Sequence, residues 1–299
     1  MGNPKKTQTS HPIRKTNLCF NLRNILICFV FLWTPWSFTQ ESPVALQTLS
    51  LYPTLSWSLL QDAEEPNLFA TYETEFKILS PASSLHLSED QFEQNLSSKI
   101  QTLNQQDLLH FLQQKEKLLQ KFHPITKKQA QNILDLLNTH PIVGGKMAQH
   151  YDQQNGQVGF CFGRAHYTHL ELLRHHVHSE QTSKIFAIGG LLYGDITWDY
   201  HVATAVQGPE NQWWVIDGLQ TEVMDVQDWM KKISTWDANR RFPMLRYYLT
   251  PGWKFQPIQA AHPNYPIYSE LYGPYFRDLS IWFHSHPMQL LPQMFEQPP

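Results

Sequence analysis

The fold is decided by a stretch in the second half of the chain, which reads WDYHVATAVQGPENQWWVID from Trp198 to Asp217. Its two ends are rich in aromatic and β-branched residues, and Gly208–Asn211 between them consists of turn formers. This pattern predicts two antiparallel strands joined in a hairpin. His201 stands where the first strand begins, and Asp217 closes the second.

The residues upstream of this hairpin predict a helix that begins at a cysteine. Cys161 follows Gly159 and Phe160, and apolar residues at helical spacing continue to about His178. A thiol at a helix N-terminus lies near the positive end of the helix dipole and near unpaired backbone N–H groups. Both features favour the thiolate, and the N–H groups can hold an oxyanion. Gly159 would let a substrate backbone approach closely.

These elements together predict an α+β domain over residues 146–299, in which the helix with Cys161 packs on an antiparallel sheet. Residues 40–145 are predicted to be a mostly helical accessory region. Three apolar stripes predict helices at about 88–103, 108–119 and 126–137. From about Trp236 onward, Pro, Tyr and Trp predict strands and loops.

The first 39 residues predict a signal peptide or an N-terminal anchor, because five basic residues and no acidic ones accompany a short apolar run, Ile25–Phe38. We therefore expect an exported protein, secreted or periplasmic, that meets a membrane only if this segment is not cleaved. Removing the segment takes the net charge from −3 to −8 and leaves Cys161 as the single cysteine. An acidic chain with no basic patch gives no reason to expect nucleic-acid binding.

Three residue types occur in an order that indicates nucleophilic catalysis. Cys161 would be the nucleophile, His201 would take and return its proton, and Asp217 would orient the imidazole through the other ring nitrogen. Trp198 and Tyr200 would shield the charged pair from water. The candidate cleft residues are Gly159, Phe160, Trp198, Tyr200 and Trp214.

The motifs Cys-Phe-x-Arg-Ala, Tyr-His-Val-Ala and Trp-Val-Ile-Asp, within residues 156–235, resemble the protein-glutaminase (protein glutamine deamidase) family. The resemblance implies a papain-like or transglutaminase-like core with Cys161, His201 and Asp217 as a catalytic triad. It also implies hydrolysis of protein glutamine side chains to glutamate and ammonia through a thioester. Gly218 departs from the proline that commonly follows the family's aspartate.

The same triad chemistry leaves other acyl transfers open. A transglutaminase would use an amine as acceptor, a cysteine peptidase would cut the main chain, and a binding domain could keep the fold without catalysis. The resemblance also allows residues 41 to about 140 to be a removable segment that covers the cleft, beside a permanent helical subdomain.

We expect no organic cofactor and no metal. Five histidines lie in the predicted helix that begins at Cys161, but they lack the acidic partner of a His-Glu-x-x-His motif and are better explained by surface or packing roles. These histidines are His166, His169, His175, His176 and His178. The expected partner is a glutamine-bearing protein or peptide.

Overall fold

The structure is a computed structural model, and it describes residues 67–80, 87–144, 150–151, 160–258 and 272–286. All of these residues belong to one compact unit, Pro43–Pro299. The predicted leader and Gly159 lie outside the described residues. In the described ranges, no helix has the length and apolar character needed to cross a membrane.

The described residues form helices on both sides of one antiparallel sheet. The helices are α1 (Leu68–Leu79), α2 (Glu89–Glu116), α3 (Lys127–Thr139), α4 (Cys161–Arg174), α5 (Val226–Ser234) and α6 (Gly273–Ser285). The strands are β1 (Thr182–Tyr193), β2 (Ile196–Gln207), β3 (Trp213–Ile216), β4 (Met224–Asp225) and β5 (Arg246–Pro251). The predicted α+β class is confirmed.

The sheet has the order β4-β3-β2-β1-β5, and each pairing is antiparallel. The predicted hairpin is the β2–β3 pair, whose register runs from Thr204 opposite Ile216 to Gln207 opposite Trp213. Pairing with β3 therefore begins three residues after His201. The hairpin of β1 and β2 contains an irregularity between Ile188 and Leu191, where Gly189 has a φ of 134° that favours glycine.

Two layers of helices cover the sheet because its central strands are apolar on both faces. On one face, α3, α4 and α6 share buried residues such as Leu134, Tyr167 and Tyr275 with Val206 of β2. On the other face, α2 and α5 pack with Phe111 and Trp229 against the odd-numbered strand residues. Cys161 packs beside a third cluster, which includes Phe162 and Val202 on the α4 face.

The helix α2 is joined to the last strand by buried polar contacts. Asn104 donates from Nδ2 to the carbonyl of Leu245 at 2.9 Å and accepts from the Tyr247 N–H at 3.0 Å. The Arg246 guanidinium, 3% exposed, donates to Asn104 Oδ1 at 3.0 Å and to Glu75 of α1 at 2.9 Å. The predicted accessory helices therefore contact the sheet through β5 itself.

Three predictions of element boundaries are wrong. Residues 88–119 hold one long helix, α2, followed by a short 3₁₀ turn, rather than two helices. The strand with His201 begins earlier, at Ile196. Helix α6 was not expected after Trp236, where abundant aromatic residues pointed to strands. In each case tertiary packing, rather than local propensity, determines the boundary.

Candidate active site

Helix α4 begins at Cys161, as the sequence predicts. The residue before it, Phe160, is the N-cap and offers no side-chain acceptor to the first turn. The backbone N–H groups of the first turn have no carbonyl one turn earlier in the helix to which they can donate. Cys161 is half-buried, so its thiol stands beside these N–H donors with partial access from outside.

A backbone carbonyl of α4, one turn beyond the cysteine, is bonded to two strands of the sheet. The carbonyl of Ala165 accepts from Lys184 Nζ of β1 at 2.8 Å and from Thr204 Oγ1 of β2 at 2.7 Å. Lys184 Nζ also donates to the carbonyl of Gly252 at 2.8 Å. These contacts determine the height of α4 above the sheet and therefore the position of Cys161.

The side chains of His201 and Asp217 are joined by a hydrogen bond. The imidazole Nε2 lies 2.8 Å from Asp217 Oδ2, and the two side chains are 1% and 3% exposed. The same Oδ2 accepts from Trp229 Nε1 at 2.8 Å, and Oδ1 accepts from the Leu219 N–H at 3.0 Å. Because water is excluded from both partners, this charge-assisted bond is strong.

Three tryptophans surround the imidazole of His201. The rings of Trp198 and Trp229 are stacked on it at centroid distances of 6.4 Å and 5.9 Å, and Trp236 lies at 5.6 Å. Trp229 and Trp236 belong to the cluster on the α5 side of the sheet. Of the two residues that the sequence predicts as an aromatic shield, Trp198 stacks on the imidazole and Tyr200 packs on the α4 face. Trp229 and Trp236 are two further rings around the imidazole.

Cys161 and His201 interact although their surroundings lie on different faces of the sheet. Cys161 packs beside the cluster on the α4 face, and His201 stacks on Trp229 of the α5-side cluster. β3 ends at Ile216, opposite Thr204, so His201 lies beyond the last β2–β3 pair. Asp217 leaves the sheet at this same end of β3, and the pKa of His201 is raised in part by its interaction with Cys161. Nε2 of His201 is bonded to Asp217, which leaves Nδ1 for the thiol. Nδ1 is buried and has no hydrogen-bond partner among the described residues; catalytic hydrogen bonds are often long before a substrate binds.

The surroundings of His201 stabilise its protonated form. Burial alone would lower the pKa of His201, but the charge of Asp217, the bond to Asp217 and the interaction with Cys161 raise it to about 10. Burial would likewise raise the pKa of Asp217, yet His201 and the N–H donors of Leu219 and Trp229 lower it. The pair is therefore an imidazolium and a carboxylate at neutral pH.

The structure places the other candidate cleft residues differently. Phe160 directly precedes Cys161, but its ring is buried against Tyr272 and Tyr275. Tyr200 points to the α4 face of the sheet, whereas its neighbour His201 points to the other face, and the Tyr200 ring contacts Phe69. Trp214 is not brought to the site: it is buried in the α3 cluster, and its Nε1 donates to the carbonyl of Ile125 at 2.9 Å.

The glycine after Asp217 has a packing reason. A Cβ built on Gly218 would lie 2.8 Å from Arg164 Cδ and 3.2 Å from Leu137 Cδ2, so a larger residue would push against α4. Arg164 in turn donates from Nε to the carbonyl of Val143 at 3.2 Å. Glycine at this position, where the family commonly has proline, therefore allows the loop after β3 to pack closely on α3 and α4.

The histidines after Cys161 have separate packing roles in the structure. His169 bonds through Nδ1 to Thr182 Oγ1 at 3.1 Å, and His175 lies 3.3 Å from Glu171. His178 accepts from the Glu180 N–H and stacks on Phe122. Among the described residues, no three His, Cys, Asp or Glu side chains form a group that could hold a metal.

Sequence reasoning missed Trp229 and Lys184. Trp229 stands at the buried position of a short amphipathic helix, where an aromatic residue is ordinarily part of the core. Lys184 lies in an apolar run, Lys184–Ile188, and a charged residue inside such a run is the signal that could have singled it out.

In a comparison with protein families, residues 129–233 match the family described as glutaminase. No curated protein and no solved structure matches the chain. The matched range includes Cys161, His201 and Asp217. The match covers about a third of the chain, and it agrees with the resemblance that the sequence motifs indicate.

Proposed function

From the glutaminase match over residues 129–233, we propose that this chain is a cysteine-dependent hydrolase that deamidates protein glutamine side chains, with Cys161, His201 and Asp217 as its triad. The 2.8 Å bond between His201 and Asp217, with Cys161 acting on the same imidazole, supports these roles. We further propose a papain-like or transglutaminase-like core, since Cys161 begins a helix, His201 lies on β2 and Asp217 directly follows the adjacent strand β3.

In the first half of the reaction, the Cys161 thiolate attacks the side-chain carbonyl carbon of glutamine. The carbonyl oxygen becomes an oxyanion, which the N–H groups of the first turn of α4 can receive. The carbon–nitrogen bond then breaks, and the leaving nitrogen takes the proton held by His201. Ammonia departs, and the acyl group remains on sulfur as a thioester.

In the second half, His201 is neutral and acts as a base. It removes a proton from water while the water oxygen attacks the thioester carbon, and the carbon–sulfur bond breaks. The carboxylic acid formed in this step loses its remaining proton to solvent to become glutamate, and the enzyme is left with the Cys161 thiolate and a protonated His201. Asp217 keeps its charge throughout, so it holds the ring orientation and stabilises the imidazolium without taking the proton.

The remaining sequence predictions stay proposals. We propose that residues 146–299 form the hydrolase domain and residues 40–145 an accessory or removable region. We also propose that residues 1–39 direct export, with membrane anchoring as the alternative. Limited proteolysis of the purified full chain tests the removable region: cleavage that raises the rate of ammonia release would support it, and full activity of the intact chain would contradict it.

The test of the activity is ammonia release from a glutamine-containing protein by the purified full chain. We expect release by the wild type and none above background by C161A, which should unfold at a similar temperature because the change is small. H110A, at an exposed residue of α2 that bonds to Gln114, is the control and should release ammonia like the wild type.

The products decide among the alternatives. Cross-linked substrate, or incorporation of an added amine, would indicate a transglutaminase, and new N-termini would indicate a peptidase. Ammonia release that C161A leaves unchanged would exclude the proposed nucleophile. If no substrate of any kind is altered, and labelling of Cys161 has no effect on any activity, the chain is a binding domain of this fold.

A further inference from the structure

The carboxylate of Asp217 is held by three N–H donors rather than by His201 alone. Oδ2 accepts from His201 Nε2 and from Trp229 Nε1, both at 2.8 Å, and Oδ1 accepts from the Leu219 N–H. Trp229 is 0% exposed, so water does not compete for its N–H. Rotation of the carboxylate would therefore break the tryptophan bond together with the histidine bond.

Trp229 is itself rigidly placed. Helix α5 begins after the N-cap Asp225, which accepts from the Gln227 N–H at 2.9 Å, and it buries Val226, Trp229 and Ile233 on one face. The hydroxyl of Tyr247 on β5 donates to the carbonyl of Met230 at 2.8 Å. The indole is thus anchored from both the helix and the sheet.

The indole of Trp229 makes two separate contacts with the His201–Asp217 pair. Its N–H donates to the carboxylate, and its ring face stacks on the imidazole at 5.9 Å with an angle of 24° between the planes. A phenylalanine can reproduce the stacking but not the hydrogen bond. The two contacts can therefore be separated by experiment.

We propose that Trp229 is a positioning residue that orients Asp217 through its indole N–H and, through Asp217, the imidazole of His201. This inference rests on the proposed function of the triad. The physical reason is that Asp217 follows the end of β3, where no further strand pairing restrains it, so a second buried donor fixes its oxygen toward His201. The same N–H favours the charged carboxylate, which keeps the shared proton on His201.

The test compares W229F with W213F. Trp213 is also 0% exposed and belongs to the same core cluster, but its Nε1 has no partner in the described part of the chain. Both changes remove one buried indole, and only W229F removes a donor to Asp217. We expect W229F to lower kcat for ammonia release about tenfold with little change in KM, because bonds to charged groups are the strong ones. W213F should stay within about twofold of the wild type in kcat.

Two further measurements separate positioning from packing. In a D217N background, W229F should change kcat by less than about twofold, since a residue acting through Asp217 loses its effect when the carboxylate is gone. W229H, whose ring N–H can still donate, should recover part of the rate. If W229F does not unfold cooperatively, benzothienylalanine at position 229 replaces it, because this side chain keeps the bicyclic shape and lacks the N–H.

The rate of iodoacetamide alkylation at Cys161, followed by mass spectrometry of its peptide, provides a reading that needs no glutaminase activity. We expect W229F to slow this alkylation relative to W213F. Equal alkylation rates in the wild type, W229F and W213F, or an equal effect of W229F with and without D217N, would overturn the proposed positioning. A slower alkylation in W229F without any ammonia release in the wild type would support the positioning and contradict the proposed function.

Discussion

The ring of Tyr275 in α6 lies against Gly163, two residues after Cys161 in the first turn of α4. A Cβ built on Gly163 would lie 2.5 Å from Tyr275 Cε1 and 2.7 Å from its Cζ, closer than atoms can approach. Tyr275 is fully buried, so it has no room to move aside. The start of the cysteine helix is therefore positioned by α6 as well as by the sheet.

We expect G163A to damage both stability and activity. Extra atoms in a packed core commonly cost about 1–3 kcal/mol, and relief of this overlap requires the first turn of α4 to shift. Thermal unfolding and ammonia release measure the two effects. G273A is the control, because a Cβ at Gly273 in α6 meets nothing within 4 Å. A G163A variant with the stability and rate of the wild type would contradict the packing.

We expect H201A to slow alkylation of Cys161 near neutral pH by roughly 100-fold, because the thiol loses the base that takes its proton. The measurement is the rate of iodoacetamide labelling of the Cys161 peptide. H110A is the control, since His110 is exposed on α2 and bonds to Gln114. Labelling of H201A at the wild-type rate would remove His201 from its proposed role.

The alkaline limit of activity should follow His201. Its pKa is raised to about 10, so the imidazolium persists at neutral pH and the rate should fall only as pH rises toward that value. D217N removes the charge that raises the pKa, so the fall should occur at lower pH. The kcat of D217N should also drop by roughly 100-fold or more, with a smaller change in KM.

The same raised pKa predicts how stability depends on pH. The folded pKa of His201 lies above the unfolded value of about 6.5, so its contribution is fully present below that value and is lost as pH rises through about 10. Urea unfolding of the wild type and H201A at several pH values measures it. A difference between the two that does not change with pH would contradict the assignment.

Acid should destabilise the fold through His169. Burial lowers the pKa of His169 well below its usual value, and the nearby charge of Lys184 lowers it further. Below a pH of about 6.5 the unfolded chain binds a proton that the folded chain refuses, which costs up to about 1.4 kcal/mol for each pH unit. H169N, which can still bond to Thr182, should lose less stability between neutral and mildly acidic pH in urea unfolding.

The chemical residues were easier to predict than the elements that hold them. Cys161 at a helix start and Asp217 at a strand end are local patterns, and both positions are confirmed. The roles of these residues remain predictions. Trp214, a predicted cleft residue, packs in the cluster with Ile125, since alternation in a short strand shows which residues share a face and not what covers that face.

The features of the structure that the sequence did not predict depend on contacts between residues far apart in the chain. Nothing near Trp229 in the sequence marks its bond to Asp217, which is twelve residues away and crosses from a helix to a loop. The helix α2 continues through the polar residues 104–106 because Leu108 and Phe111, which follow them, are buried against Trp213 and its neighbours. Local periodicity cannot report such contacts.

The bonds between α2 and β5 also constrain the order in which the chain can fold. Asn104 reaches the Leu245 carbonyl across 141 positions, and Ser97 reaches Pro243 across 146. During synthesis α2 emerges long before its partners, so its buried side is not fully covered until residue 247 has left the ribosome. Contacts of such large sequence separation slow the search for the native state. Folding of this unit should therefore be a late, largely post-translational event, dependent on the last strand of the sheet.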